Sequence, residues 1–386
     1  MTSHTAPILP GATIGFLGGG QLGRMTAMAA RSMGYDVRVL DPDAECSAKG
    51  VASHTITAAW SDAAAAATLG RHSDVVTLEI EQIPLASLEA VAAETRLHPG
   101  PNVVFVIQDR ARQKEWLRAE SFPLGDFRTV HSEAECVAAI ETLGASIVKS
   151  ASGGYDGRGQ VRVKSAVEGA NAWAGVGANR SVVEKFLPIK EELSVLVARC
   201  VDGTTAVYPP SRNHHTHGVL TWAVLPGGFD AALETRAMNL ARDITERLGI
   251  VGLLAVELFV LESGELFVNE LAPRPHNTYH HSERASATSQ FEQLVRAICG
   301  LPLGSTETIA PAAIYNLLGD LWVDGKSPDF TKALAVQGIR LHLYGKTSAR
   351  PGRKMGHLSA VGTSGDDALR RVQEAYACLD GGGATK

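Results

Sequence analysis

Residues 12–41 constrain the fold more than any other stretch of this chain. The apolar run "ATIGFL" reads as a short buried strand that breaks at Gly18, Gly19 and Gly20. A helix-like stretch, "QLGRMTAMAARSMG", follows and ends at Gly34, a natural C-cap. "DVRVLD" is then a second strand with Asp41 at its end. Strand, glycine turn, helix and strand make a βαβ unit, and its strands run parallel. "SDVVTLEIEQIP" repeats the strand signal near residue 76, so residues 1–105 are expected to form one α/β, Rossmann-like domain.

Gly18, Gly20 and Gly23 satisfy G-x-G-x-x-G, and Asp41 lies beyond. That spacing suits a dinucleotide with its pyrophosphate on the helix N-terminus. It equally suits a tight turn and close helix packing that leave a crevice for another anion. No second mononucleotide-binding half follows, which favours the second reading.

From "QDRARQKEWLRAESFP" the texture changes. Residues 110–120 read as a charged helix that Pro123 stops, and "EAECVAAIETLG" as another helix ended by Gly144. Strand "ASIVKS", a glycine loop, strand "QVRVK", helix "AVEGANAWAGVG" and strand "SVVEKFL" come next. "ELSVLVARC" and "TTAVYP" alternate like antiparallel strands, and "LETRAMNLARDITERLG" is a helix. "GLLAVELFVLESGELFVNELAPRPHN" holds two strands joined at Ser263-Gly264. Residues 106–304 are therefore expected to be α+β. Residues 305–386 form a small strand-rich region closed by the helix "DDALRRVQEAYACL".

The chemistry gathers in a few places. Glu257 lies inside an apolar strand and Glu270 ends its neighbour. A hairpin turned at Ser263-Gly264 would face both to one side, with Asn269 adjacent. Burying such acids without partners is costly, and oxygen ligands on rigid strands suit Mg²⁺. Lys149 closes a strand just before "SASGGYDGRGQV", where a lysine and close-approaching N–H groups can hold phosphate. "VVEKFLPIKEELSV" can offer backbone groups to an adenine and a carboxylate to ribose hydroxyls. "NELAPRPHNTYHHSE" contains H-x-x-x-H spacing, but its prolines forbid the regular helix of a zinc motif. Arg274 beside a metal-type carboxylate suits an anion or transition-state site.

Net charge is −5, so no basic surface points to nucleic acid. Against that background "YGKTSARPGRKMGH" forms a local basic cluster suited to a phosphate-bearing small molecule. Five scattered cysteines argue against a disulfide framework. No run approaches the ~18 apolar residues of a membrane span, and no signal-peptide pattern opens the chain, so a cytoplasmic location is expected.

Taken together, "GFLGGGQLGRM", "DVVTLEIEQIP", "QDRARQKEWL", "GGYDGRGQV", "KEELSVLVA", "LLAVELFV", "NELAPRPHN", "TSQFEQLVRAICGLPLG" and "GRKMGH" resemble the ATP-grasp ligases. Within them they are similar to the N5-carboxyaminoimidazole ribonucleotide synthetase family of purine synthesis, over almost the full length. The resemblance implies an ATP-grasp architecture, ATP, two Mg²⁺ ions, bicarbonate, 5-aminoimidazole ribonucleotide and a homodimer. It implies that Arg110 and Lys149 contact ATP phosphates under a flap of Gly154, Tyr155, Asp156, Gly157, Arg158, Gly159 and Gln160. Glu184, Lys185, Phe186 and Leu187 would hold adenine and Glu192 the ribose. His215 would lie at the nucleotide beside Asn269 and Glu270, with Glu257 and Glu270 ligating metal.

On the ribonucleotide side the resemblance implies Gln21, Leu22, Glu79 or Glu81, Tyr155, Arg158 and Asn277, with Lys346, Arg353 and Lys354 on the 5′-phosphate. Arg274, Lys149, Asp156 and His276 would be catalytic, the last two as candidate acceptors of the amine proton. The implied activity is ATP- and bicarbonate-dependent carboxylation of an exocyclic amine through carboxyphosphate. The alternatives are a formate-dependent ligase acting on glycinamide ribonucleotide, an NAD-dependent oxidoreductase and a non-catalytic sensor. Thr278-Tyr279-His280-His281 departs from the family pattern of smaller residues, and Tyr279 there suggests an altered acceptor. "TLEIEQIP" carries Leu78 and Ile80 where tyrosine and phenylalanine are usual.

Overall fold

The computed structural model describes residues 6–153 and 159–379. Its first sheet is wholly parallel, in the order His54–Thr57, Asp36–Asp41, Thr13–Leu17, Val75–Leu78, Arg96–Leu97. Both strands expected on either side of the first glycine turn are present. The helix between them is Gln21–Ser32, and Gly34 follows with φ +87°.

A second sheet of four antiparallel strands runs Phe127–Val130, Ser181–Lys185, Ser146–Ser150, Gln160–Val163. Helices Glu133–Leu143 and Gly169–Gly175 cover it through Cys136, Ile140, Ala172 and Trp173. The third sheet is antiparallel and nine-stranded. Along it lie Leu266–Ala272, Gly252–Leu261, Ile189–Arg199, Ser211–Thr216, Val219–Leu225, Ala312–Leu318, Lys354–Val361 and Ile339–Leu343, with Thr205–Val207 paired to Ile189–Arg199. The C-terminal strands therefore extend the central sheet, joined to it through Val219–Leu225 and Ala312–Leu318.

Two strands of this sheet, Ser211–Thr216 and Val219–Leu225, form a hairpin that carries His214 and His215. The first, "SRNHHT", lacks apolar alternation because the side chains it turns inward are polar. Helix Ala231–Leu248 covers the opposite face of the sheet through Leu233, Ala237, Ala241 and Ile244. Helix Gln290–Cys299 packs against the glycine-turn helix, and one apolar cluster runs from Ile14 and Phe16 through Leu294 and Ile298 to Leu196 and Leu253. The parallel and antiparallel sheets thus share a core.

The glycine turn is closed by the protein itself. Gly19 N–H donates to Asp41 Oδ2 (2.7 Å), and Gly20 and Gly23 N–H donate to Glu79 Oε1 and Oε2 (2.7 and 2.9 Å). Donors that would cradle a pyrophosphate in a dinucleotide domain are occupied by these two carboxylates. Burial raises both above the ordinary carboxylate range, against the lowering effect of those same N–H groups. The NAD reading fails here on geometry.

A Cβ on Gly23 would stand 2.8 Å from the carbonyl oxygen of Gly18, which is backbone and cannot swing away. Gly23→Ala is expected to lower the unfolding free energy by about 1–3 kcal/mol, read as a lower urea midpoint at unchanged slope.

Candidate active site

One face of the nine-stranded sheet carries the polar residues. Across the strands, Glu257 sits directly opposite Glu270 on one side and Ser194 on the other, while Glu192 opposes Asn213. Directly paired residues project to the same face. The register shifts just after the Glu257–Glu270 pair, leaving Asn269 as the extra residue of a bulge. A bulge re-aims the side chain it releases, and here Asn269 Nδ2 donates to Glu257 Oε2 at 3.1 Å. The hairpin expected from Ser263-Gly264 therefore forms and brings both acids together.

Helix Arg110–Ala119 supplies the counter-charges. Its N-cap Asp109 accepts from Arg112 N–H (2.9 Å) and pairs with Arg180. Arg110 and Lys114 are four residues apart and lie on one face of the helix. Arg110 Nη1 reaches Glu270 Oε2 at 3.3 Å, while Lys114 Nζ reaches Glu184 Oε2 at 3.3 Å in the four-stranded sheet. Lys149 Nζ meets the same Glu184 oxygen at 3.0 Å. Between these cations Gln113 clamps the strand beside Glu270, donating to Leu271 O (3.2 Å) and accepting from Leu271 N–H (3.0 Å). Lys114 and Gln113 escaped the sequence reading because a charged helix suggests solvent, yet both are buried. The i, i+4 spacing of Lys114 from Arg110 was the available signal.

Burial works against ionising Glu184, but Lys114, Lys149 and Arg110 outweigh it and hold its carboxyl at about 2. Burial pushes the Lys114 ammonium down, with Glu184 opposing. Glu257 is raised, first by burial, with His215 opposing and Glu270 and Glu192 adding to it. His215 Nδ1 hydrogen-bonds Glu192 Oε2, and despite burial this contact raises the imidazole.

Other candidates converge from distant parts of the chain. Arg274 forks onto Glu81 at 2.6 and 3.1 Å, joining the end of the metal-type hairpin to the parallel sheet. That pair holds Glu81 below the ordinary range in spite of burial. Lys346 Nζ donates to Gln21 Oε1 (3.1 Å) and to Lys354 O (2.5 Å). Lys354 acts electrostatically on both His215 and His276, with a lowering effect on each. Arg353 is held on Ser348 through its carbonyl (2.8 Å) and hydroxyl (2.7 Å). Asn277 has both amide atoms buried without a hydrogen-bond partner among the described residues. The backbone N–H groups of Lys185 and Phe186 are taken by Asp126 O and Ala145 O, and Phe186 stacks under Arg162. Leu187 packs near Gly125, Gln160 begins a strand opposite Lys149, and Gly159 has φ +67°. The flap residues Gly154, Tyr155, Asp156, Gly157 and Arg158 lie outside the described residues.

Two expectations change and a third is narrowed. The Leu22 side chain packs into an apolar cluster with Met25, Phe291 and Tyr344, which leaves its backbone in the first helical turn as the group to meet a ligand. Glu79 is committed to the glycine turn, which leaves Glu81 as the acid facing Arg274. Tyr279 is not beside the site. It is fully buried, and its hydroxyl lies 2.8 Å from both Ser194 O and Pro209 O. His281 is likewise internal, with Nε2 2.9 Å from Ser211 Oγ and its pKa lowered to about 3 by burial. The bulk at 279–281 fills core. A surface cavity of about 260 Å³ lined by Met25, Met28, Phe291 and His342 contains none of the candidate residues.

Comparisons with known proteins agree with this geometry. Residues 11–108 match the ribonucleotide synthetase preATP-grasp domain, 115–291 the ATP-grasp domain, and 312–371 the phosphoribosylaminoimidazole carboxylase C-terminal domain. The chain is 39% identical over 358 residues to the N5-carboxyaminoimidazole ribonucleotide synthase of Brucella melitensis, covering 91% of this chain and 97% of that protein. It superposes on N5-carboxyaminoimidazole synthetase from Staphylococcus aureus complexed with ADP with TM-score 0.89, at 33% identity over 97% of this chain and 99% of the other. The synthase from Aspergillus clavatus in complex with ADP and 5-aminoimidazole ribonucleotide matches with TM-score 0.88, at 31% identity over 96% and 98%.

Two measurements follow from the geometry. Tyr279→Phe removes the single buried O–H that Ser194 O and Pro209 O share, and is expected to cost about 1–3 kcal/mol of stability with ligand affinities unchanged. Glu184 titrates at about 2 folded against 4.5 when unperturbed. Its contribution is therefore present above pH ~4.5 and lost as pH falls toward 2, on the order of 3 kcal/mol. Urea unfolding between pH 6 and 3 should show this loss, and Glu184→Gln should flatten it.

Proposed function

The chain belongs to the N5-carboxyaminoimidazole ribonucleotide synthase family of ATP-grasp ligases, and on that premise we propose how its own residues run the reaction. It carboxylates the exocyclic amine of 5-aminoimidazole ribonucleotide to N5-carboxyaminoimidazole ribonucleotide, consuming ATP and bicarbonate and releasing ADP and phosphate. The formate-dependent alternative is disfavoured by the match of residues 312–371 to a carboxylase C-terminal domain. The observation that carries the reading is the directly paired Glu257 and Glu270, with Arg110 on Glu270 and with Lys114 and Lys149 gathered on Glu184 of the neighbouring sheet.

Bicarbonate is a poor electrophile. Transfer of the γ-phosphoryl group to one of its oxygens gives carboxyphosphate, whose phosphate can then leave. The protein's part in that transfer is positioning and charge neutralisation. Arg110 and Lys149 take the nucleotide's phosphates, with Lys114 behind Glu184 holding both ammonium groups in place. Residues 184–187 receive the adenine and Glu192 the ribose, next to His215. The donor set of Glu257 and Glu270 fits Mg²⁺, because both are hard oxygen ligands on adjoining strands and their crowding raises Glu257. Bound there, magnesium supplies charge neutralisation for phosphate oxygens.

Arg274, steadied by Glu81, lies where charge develops on the transferring group. The ribonucleotide enters between the glycine-turn helix and the C-terminal strands. Lys346, Arg353 and Lys354 take its 5′-phosphate, Gln21 orients Lys346, and Asn277 supplies unsatisfied amide groups. The amine attacks the carboxyl carbon, forming the C–N bond as the C–O bond to phosphate breaks. The amine proton leaves with the released phosphate. A homodimer in the cytoplasm is the expected form of the enzyme.

ADP release from Mg-ATP should depend on both bicarbonate and 5-aminoimidazole ribonucleotide. Glu270→Ala should abolish it, and Lys114→Met should reduce kcat by about 100-fold or more, in line with loss of a preorganised charge. Turnover with formate and glycinamide ribonucleotide in place of that pair would overturn the assignment.

A further inference from the structure

A chain of buried polar side chains leads from the interior of the nine-stranded sheet to His276. Asn213 Nδ2 donates to Ser194 Oγ, Ser194 Oγ donates to Thr278 Oγ1 at 2.9 Å, and Thr278 Oγ1 lies 2.8 Å from His276 Nδ1. Ser194 and Thr278 are fully buried and Asn213 nearly so. At the other edge of the ring, His276 Nε2 faces Glu257 Oε1 at 3.5 Å. The backbone of His276 is fixed as well, because its N–H donates to Gln290 Oε1 (2.8 Å) and its carbonyl accepts from Gln290 Nε2 (3.0 Å).

Each hydroxyl in such a chain has one proton to give, so the chain can be polarised in only two ways. Both ends select the same one. The Asn213 amide nitrogen only donates, which turns the Ser194 proton toward Thr278 and the Thr278 proton toward Nδ1. The Glu257 carboxylate carries negative charge and no proton to give, so facing Nε2 at 3.5 Å it favours the ring proton there. Oε2 of Glu257 accepts from Asn269, while Oε1 meets the ring through an electrostatic contact longer than a hydrogen bond.

We propose that Asn213, Ser194 and Thr278 are positioning residues that fix His276 as the Nε2–H tautomer and aim it at Glu257. His276 in turn orients the metal-side carboxylate and is not the acceptor of the amine proton. The inference rests on the ligase reading above, through the role given there to Glu257. It also accounts for Thr278, which stands at a departure from the family pattern yet still presents a hydroxyl.

The test is the ¹⁵N spectrum of the histidine rings in the metal-free wild-type protein near neutral pH, with His276 assigned by its disappearance in His276→Gln. A protonated Nε2 and a lone-pair-bearing Nδ1 are expected. Thr278→Val keeps the volume but deletes the hydroxyl. It should mix the tautomers and raise the Mg²⁺ concentration for half-maximal ADP release by ~10-fold or more, with KM for the ribonucleotide unchanged. Thr278→Ser should restore both. A proton on Nδ1 in the wild type, or a Thr278→Val protein with wild-type spectrum and Mg²⁺ dependence, would overturn the proposal. If Thr278→Val does not fold, the wild-type spectrum decides alone. The expected spectrum in a protein without ribonucleotide-dependent turnover would count against the ligase reading and leave the polarised chain standing.

Discussion

Like charges crowded onto one sheet face are the constraint on which this structure turns. Glu192, Glu257 and Glu270 project from neighbouring strands, and Glu184 faces them from a separate sheet. Carboxylates packed this way are tolerable only if cations are delivered to them, since an unpaired buried charge costs several kcal/mol. The helix Arg110–Ala119 is the device that delivers them. Its Arg110 serves one sheet and its Lys114 the other, so the spacing between the sheets is set by one helical turn. Gln113, clamped on Leu271, keeps that helix from sliding along the strand that ends near Glu270.

The parallel domain solves the opposite problem. A helix N-terminus exposes N–H groups that attract anions, and in this chain two of its own carboxylates satisfy them. Glu79 is spent on that task, and its neighbour Glu81, two residues along, is left to meet Arg274 from the far hairpin. A glycine pattern that looks like a cofactor site is thus a structural joint, and the crevice beside it belongs to a different ligand.

Much of this was legible in the chain. The parallel βαβ start, the α+β middle and the Glu257–Glu270 hairpin follow from strand period, glycine breaks and the Ser263-Gly264 turn. What escaped did so for physical reasons. The strand Ser211–Thr216 is hidden because a strand lining a polar site loses its apolar alternation. The bulge at Asn269 depends on one extra residue in the register, which composition does not reveal. Lys114 sits on a helix whose charges suggest water, and its burial depends on two sheets meeting there. Tyr279 looked like a change of pocket because its neighbours in sequence are site residues. Its hydroxyl instead lies between the backbone of one strand, at Ser194, and that of the connection at Pro209. The joining of C-terminal strands to the central sheet depends on pairing across nearly ninety residues, beyond the reach of local pattern.

Gln21 meets Lys346 across a sequence separation of 325 residues. During synthesis at about 5–20 residues per second, roughly 16–65 s pass between the emergence of one and of the other. The pocket proposed for the ribonucleotide therefore does not exist on a nascent chain until synthesis has passed Lys354. The N-terminal sheet can wait through that interval because Asp41 and Glu79 already quiet its exposed turn. A ribosome that stalls before Lys346 would leave one wall of the pocket standing and the other, on strands that extend the central sheet, still unmade.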